Sequence, residues 1–331
     1  MTAERKQVRA LSLLSGGLDS QLALCVLREQ GVEVHGVSFD SPFFNIEPAR
    51  AAAARLGVPL HVVDFTADIV ELLRHPAHGF GRCMNPCIDC HGRMLRRAGE
   101  LMARMGFDFL ATGEVLNERP MSQNLRSLRV VAELSGCPEL VVRPLSARLL
   151  PETRPEREGW LERGRLLALE GRSRKPQFDL ALRYGIGEYP TPAGGCRLTE
   201  PNFSARLREL KQHEGLDDVR ALRLLRLGRH FRLAPRVKLI VGRDAADNAA
   251  LEALARPDDV VLWLESVPGP AALLGPAADE ALVATSAAIC ARYSDAPRGL
   301  PVEVCVRTGE GERRVSATAM APADVDRLRI G

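Results

Sequence analysis

The stretch "LSLLSGGLDSQLALCVL", Leu11 to Leu27, sets two glycines, two serines and an aspartate between two apolar runs. An apolar strand that breaks into a glycine turn and re-enters as an amphipathic helix starts a β-α-β unit. Such a start commits the chain to a parallel sheet. Glycine lets the backbone approach an anion closely, and the helix behind it aims unpaired N–H groups at that anion. Ser15 and Ser20 add hydroxyl donors on either side of Gly16 and Gly17. Asp19 is out of place beside phosphate unless Mg²⁺ stands between the two negative groups. The loop matches neither G-x-x-x-x-G-K-[ST] nor G-x-G-x-x-G, which excludes a Walker loop and disfavours a dinucleotide fold. The plain alternative is a tight turn whose Ser and Asp cap the helix.

The alternation continues. "VEVHGVSF", "LHVVDF", "FDFLATGE" and "ELVVRPLS" read as strands, with helices at 18–30, "EPARAAAARLG" and "RMLRRAGELMARMG". The expected fold class is α/β, a doubly wound parallel sheet that binds its ligand at the carboxyl ends of the strands. "TRPE", Thr153 to Glu156, fits a capping box and predicts a helix to about Leu169. "GRSRKPQFDLALRYGIGEYPTPAGGCRLTEPNF" is dense in Gly and Pro and reads as an ordered loop. From Phe203 the pattern changes to helices and strands of a smaller α+β domain. The expected domains are residues 1–200 and 201–331, since 331 residues exceed one average domain. Hydrophobic content of 46% suffices for a core in each. No apolar run spans a membrane and the start lacks the apolar centre of a signal peptide, so a cytoplasmic protein is expected.

Eight cysteines in such a setting are not expected to form structural disulfides. Cys25, Cys137, Cys290 and Cys305 read as small inert hydrophobes. Cys83, Cys87 and Cys90 crowd into "CMNPCIDCH", and Cys196 stands in "TPAGGCRLTEP". A C-x-x-C pair, Cys87 and Cys90, with a distant third at Cys196 fits a [4Fe–4S] cluster that leaves one iron open for an extra ligand. Zinc with Cys83 as fourth ligand is a second reading. A persulfide on Cys90, resolved by Cys196, is a third. Unrelated free thiols are the bland one. The C-x3-C-x2-C spacing from Cys83 also matches radical SAM enzymes, though in the wrong place for their barrel.

S-G-G-x-D-S after a first strand resembles the signature of the PP-loop ATP pyrophosphatases, a HUP-like fold. That resemblance implies ATP and Mg²⁺ held by Ser15, Gly16, Gly17, Asp19 and Ser20, with Asp19 positioning the metal. It also implies Phe39 beside the adenine, and Gly113 in "ATGE" closing over the nucleotide. The family splits ATP between α- and β-phosphates and activates a carbonyl oxygen with AMP; its members make amides, guanidines and thiolated bases. "NPCIDCH" resembles the N-P-x-x-x-C-N segment of tRNA 2-thiouridylases, which implies Cys90 as catalytic cysteine and Cys196 as its partner. "RPLSARLLPET" is similar to the catalytic domain of 4-thiouridine synthetases. The chain departs from those: its loop begins at residue 15, so neither their N-terminal RNA-binding segment nor a rhodanese domain is expected. Sulfur is therefore expected from outside, from a cysteine desulfurase or as sulfide. Arg174 and Lys175 in "GRSRKPQ" either offset charge in the reaction or belong to a surface loop; Arg119 is a further phosphate candidate.

Between Arg206 and Arg243 eleven basic residues face only Glu209, Glu214, Asp217 and Asp218. That excess suits a phosphate backbone, or is simply a solvated helix face. "VKLIVGRDAADNAALEALARPDDVVLWLESVPGPAALL" resembles the RNA-binding domain of NFACT proteins over roughly residues 225–325. The resemblance implies an RNA surface that includes Arg243, and Arg223, Arg226 and Arg229 are further candidates from the basic run. The expected function is an ATP-dependent tRNA sulfurtransferase acting on uridine. A competing class is an RNA- or ribosome-binding module whose PP-loop domain senses nucleotide. The sequence leaves open O2 or O4 of uridine, the tRNA position, the sulfur donor, the role of Cys83 and a homodimer.

Overall fold

The apolar run before the glycine loop forms β1 (Arg9–Leu13) and the run after it forms α1 (Leu18–Arg28). There follow β2 (Glu33–Asp40), α2 (Glu47–Leu56), β3 (Leu60–Asp64), α3 (Thr66–Arg74), α4 (Cys87–Met105) and β4 (Phe109–Ala111). Then come α5 (Leu125–Leu134), β5 (Val141–Val142), the one-turn α6 (Arg154–Arg157) and α7 (Lys175–Arg183). The computed structural model describes residues 7–190 and 195–331. Among them these strands make one sheet in the order β3-β2-β1-β4-β5, every pair parallel. The chain winds from β1 out to β3, then returns to place β4 on the other side of β1. The order reverses between β1 and β4, and the crevice at the carboxyl ends of those strands is where such sheets take their ligands. Ala10, Leu11, Phe109 and Leu110 are fully buried, as strands covered on both faces must be. A buried side chain such as Phe109 contributes about 2–3 kcal/mol.

Three local expectations are corrected. The capping box at Thr153 is present, Glu156 accepting from the Thr153 N–H at 2.8 Å. Its helix stops after one turn, where Gly159 turns left-handed at φ 70°. The helix expected from Arg93 begins earlier, so that Cys87 and Cys90 lie in the first turn of α4. The Gly- and Pro-rich segment expected as loop contains α7, which has Pro176 in its first turn and packs Ala181 into the cluster built on Leu18 and Leu22 of α1. Residues 191–194 of that segment lie outside the described residues.

The chain divides into two compact units between Thr199 and Glu200. The second contains α8 (Pro201–His213), α9 (Val219–Leu224), β6 (Arg229–Ala234), β7 (Val237–Val241), α10 (Ala245–Leu254) and β8 (Val260–Leu264). It continues with β9 (Ala272–Leu274), α11 (Glu280–Arg292), β10 (Pro301–Thr308), β11 (Gly311–Thr318), α12 (Pro322–Leu328) and β12 (Arg329–Ile330). Its sheet runs β11-β10-β8-β9-β7-β6-β12, antiparallel throughout. Phe231, Leu239, Leu262 and Val304 on its strands meet Ala287 and Ile289 of α11 in one core. The unit is the α+β domain expected, with β6, β9, β11 and β12 added to the strands the sequence suggested. No helix of the described residues is long and apolar enough to cross a membrane.

Candidate functional site

The glycine loop sits at the β1–β4 crevice. Gly16 has φ 81°, and a Cβ there would stand 2.3 Å from the carbonyl carbon of Pro48 at the start of α2. Only glycine fits, so the loop is pressed flat against that helix. Gly17 precedes α1 in extended conformation, and no side chain caps the helix, so its first N–H groups point out of the loop. Ser20 Oγ donates to Gly17 O at 2.8 Å, and Gln21 Nε2 to Gly16 O at 2.8 Å. These bonds hold the turn from beneath. Gly113 closes it from β4, since a Cβ there would come within 2.5 Å of the Ser20 nitrogen. Phe39, at the end of β2, is buried edge-on to Phe65 at 5.3 Å.

Asp19 is held by Arg174, whose Nη2 donates at 3.2 Å. Glu118 stands on the other side of that guanidinium, 3.6 Å from its Nε. Burial raises the pKa of Asp19 although Arg174 opposes it. Burial, and then the charge of Asp19, raise that of Glu118. Two carboxylates that repel each other across one cation are a hard oxygen donor set of the kind that suits Mg²⁺. Glu118 was missed from the sequence because nothing local marks it; it lies 99 residues from Asp19 and is brought there by the β4 crossover.

The cysteines gather nearby. Asn85 shapes the turn before α4, its Oδ1 accepting from the Cys83 N–H at 3.0 Å and its Nδ2 donating to Cys87 Sγ at 3.0 Å. Asp89 is buried and clamps the preceding loop by accepting from the His78 N–H at 2.9 Å. Cys196 reaches the cluster because its backbone pairs with Phe44, just beyond β2. Cys90 is buried, which pushes its thiol well up, and the sulfurs of Cys196 and Cys87 push it the same way. The structure thus brings the three candidate thiols within electrostatic range of one another. Among the described residues no group of three or more His, Cys, Asp or Glu is disposed to hold a metal ion. By donor type alone, three thiolates are the ligands that a [4Fe–4S] cluster takes. All eight cysteines are free.

A buried network ties the thiols to the nucleotide edge. Glu114, the last residue of "ATGE", meets His91 Nδ1 at 3.0 Å and Arg143 Nε at 2.9 Å, and accepts from Thr112 Oγ1 at 3.1 Å. Burial alone would raise its pKa, but Arg143 and His91 hold it down at about 2. His91 follows Cys90 directly, so this network fixes the first turn of α4 against β4.

In the second unit Arg226, Arg229 and Arg243 surround one turn. Arg243 Nη2 donates to Arg226 O at 3.2 Å, and Arg229 Nη1 to Gly242 O at 3.1 Å. Arg223 is exposed one helical turn before Arg226. The basic excess is smaller than it reads in sequence. Arg220 pairs with Asp259, Arg232 with Glu209 and Glu214, Lys238 with Glu209, and Arg243 with Asp247.

Residues 5–148 match the family model described as thiamine biosynthesis protein (ThiI). The first part of the chain is thus similar to ThiI-family proteins. Residues 228–329 match the model of the NFACT protein RNA binding domain. The ThiI-type part is also similar to curated tRNA-specific 2-thiouridylases. That of Syntrophus aciditrophicus is 38% identical over 125 residues, covering 32% of each chain. That of Geobacter metallireducens is 32% identical over 136 residues, covering 33% of this chain and 36% of the relative. The chain therefore spans about a third of the length of these relatives. A solved 4-thiouridine synthetase–RNA complex with bound ATP aligns at 22% identity and a TM-score of 0.36, over 65% of this chain and 52% of that one.

Proposed function

We propose that the chain is an ATP-dependent tRNA sulfurtransferase that replaces a uracil carbonyl oxygen with sulfur. One observation carries the reading: the PP-loop and the Cys87–Cys90–Cys196 triad occupy the same carboxyl edge of the sheet, joined through Glu114 and His91. The relatives named 2-thiouridylases and the match to an RNA-binding domain support it.

In this reading the free N–H groups of α1 and the hydroxyls of Ser15 and Ser20 hold the phosphates of ATP. Asp19 and Glu118 hold Mg²⁺, which would neutralise phosphate charge. Arg174, released from Asp19, and Lys175 offset negative charge on the departing pyrophosphate. Phe39 and Gly113 bound the nucleotide. The uracil oxygen attacks the α-phosphorus and pyrophosphate leaves. Sulfur presented at the triad then attacks the activated carbon, and AMP departs with the original oxygen. Cys87, Cys90 and Cys196 would hold a [4Fe–4S] cluster, whose open iron supplies a binding place for sulfur from a desulfurase or free sulfide. A cluster-free route is favoured by one observation, the lack of a ready metal-holding group among the described residues. There Cys90 carries a persulfide, and Cys196 resolves it to a disulfide that a reductant reopens. Arg223, Arg226 and Arg229 grip the tRNA backbone, and Arg243, paired with Asp247, shapes the turn beside them. Eight free thiols accord with a cytoplasmic setting.

Mass spectrometry of tRNA nucleosides from a deletion strain, complemented with wild type or with Cys87→Ala, Cys90→Ala or Cys196→Ala, is the test. A thiouridine that disappears with the gene and returns only with the wild-type protein is expected. Wild-type levels in all three variants would end the proposal. Anaerobic purification separates the two sulfur routes, since a cluster brings visible iron–sulfur absorbance and a persulfide does not.

A further inference from the structure

Helix α7 turns small and polar residues inward and leaves aromatic surface outside. Gln177 and Ala181 are buried, whereas Phe178 is 44% exposed and Leu182 83% exposed. The Phe178 ring lies nearly parallel to that of Tyr189, with centroids 6.4 Å apart and planes inclined by 20°. Arg174 stands 6.0 Å from the Phe178 ring, and its guanidinium also pairs with Glu118 and with the Asp19 carboxylate of the PP-loop. One guanidinium therefore links an aromatic pair, Phe178 exposed and Tyr189 half-buried against the core on α1, to the nucleotide loop. Arg172 and Lys175 are exposed beside it. Water-facing rings rimmed by cations are the composition that binds single-stranded nucleic acid: the rings take base faces and the cations take phosphates.

We propose that Phe178 and Tyr189 form a stacking platform for an unpaired nucleobase of the RNA substrate, flanking the base being activated. The identity of the strand rests on the thiolation reading above; the platform rests on the rings and cations. A base at the PP-loop must leave its stack, and a second aromatic surface beside the loop holds its neighbour out of the helix. A protein partner fits less well. The exposed apolar surface is the Phe178 ring, the outer part of Tyr189 and Leu182 inside a basic rim, short of the area a stable protein interface buries.

The test uses the full chain and a tRNA transcript carrying 5-bromouridine, with photo-cross-linking read by peptide mass spectrometry. Fluorescence anisotropy of Phe178→Ala and Phe178→Trp accompanies it. Cross-links to peptides holding Phe178 or Tyr189 are expected. Phe178→Ala weakens tRNA binding about tenfold, the size of one lost base stack, and Phe178→Trp retains it. Unchanged ATP binding in both variants shows that the fold is intact. Wild-type tRNA affinity in Phe178→Ala, or cross-links confined to other peptides, overturns the platform. So does a defect limited to capture of a cysteine desulfurase, which would make this face a protein dock. Thiolation at the wild-type rate in Phe178→Ala removes the platform and leaves the enzyme reading standing. Cross-links at the platform without any thiouridine from the wild type do the reverse.

Discussion

Glu114 shows how a single buried charge can join two halves of a site. Its carboxylate is paired with Arg143 and His91 and held at about 2, against an ordinary value of 4.5. A depressed carboxyl stabilises the fold above its unfolded pKa and loses that contribution as pH falls from about 4.5 towards 2. The shift corresponds to about 3 kcal/mol at neutral pH. Glu114→Gln is expected to lower stability by about that amount at pH 7 and to flatten the acid limb of a plot of Tm against pH. An acid limb as steep as that of the wild type would contradict the assignment. Asp19 presents the opposite case, a carboxylate raised by burial and steadied by Arg174. Asp19→Asn keeps the shape and removes the charge that would face Mg²⁺ in the proposed reaction. Pyrophosphate release should fall by about a hundredfold or more, with little change in Tm.

At the scale of elements, the loop between β1 and α1 and the first turn of α4 matter most. Both were legible because their signals are local: glycines beside a strand end, and cysteines three apart. The contact between the loop and β4 was not. Gly113 is read from sequence as one residue of "ATGE", yet its missing side chain is what lets β4 touch the Ser20 nitrogen. Gly113→Ala must push these elements apart, at a cost of about 1–3 kcal/mol. Calorimetric titration with ATP should show at least a tenfold loss of affinity; unaltered binding would mean that the strand yields freely. Helix α7 reads as loop in the sequence because Pro176, Gly171 and Gly185 frame only two turns, too short for a clear 3.6-residue period. Its stability comes from Ala181 and Ile186 packed on α1, a tertiary contact no local pattern records.

For the whole molecule, the two units carry separable tasks in the proposed function, which makes them separately testable. Arg223→Ala with Arg229→Ala should weaken tRNA binding, reduce the slope of log Kd against log salt by roughly 1–2, and leave ATP affinity alone. A titration series in KCl measures this, and an unchanged slope would show that these arginines face no phosphate. The run of eleven basic residues overstated that surface, because four of them are committed to carboxylates within the unit. By itself the sequence determined the fold class and marked the candidate loop and the three candidate thiols. Those depend on period, glycine and spacing, which act over a few residues. Only the tertiary structure decided which distant groups complete the site. Glu118 reaches Asp19, Arg143 reaches Glu114, and Cys196 reaches Cys90 through backbone pairing of its segment with Phe43 and Phe44. The order of strands creates those approaches, and strand order is set by the packing of the whole sheet.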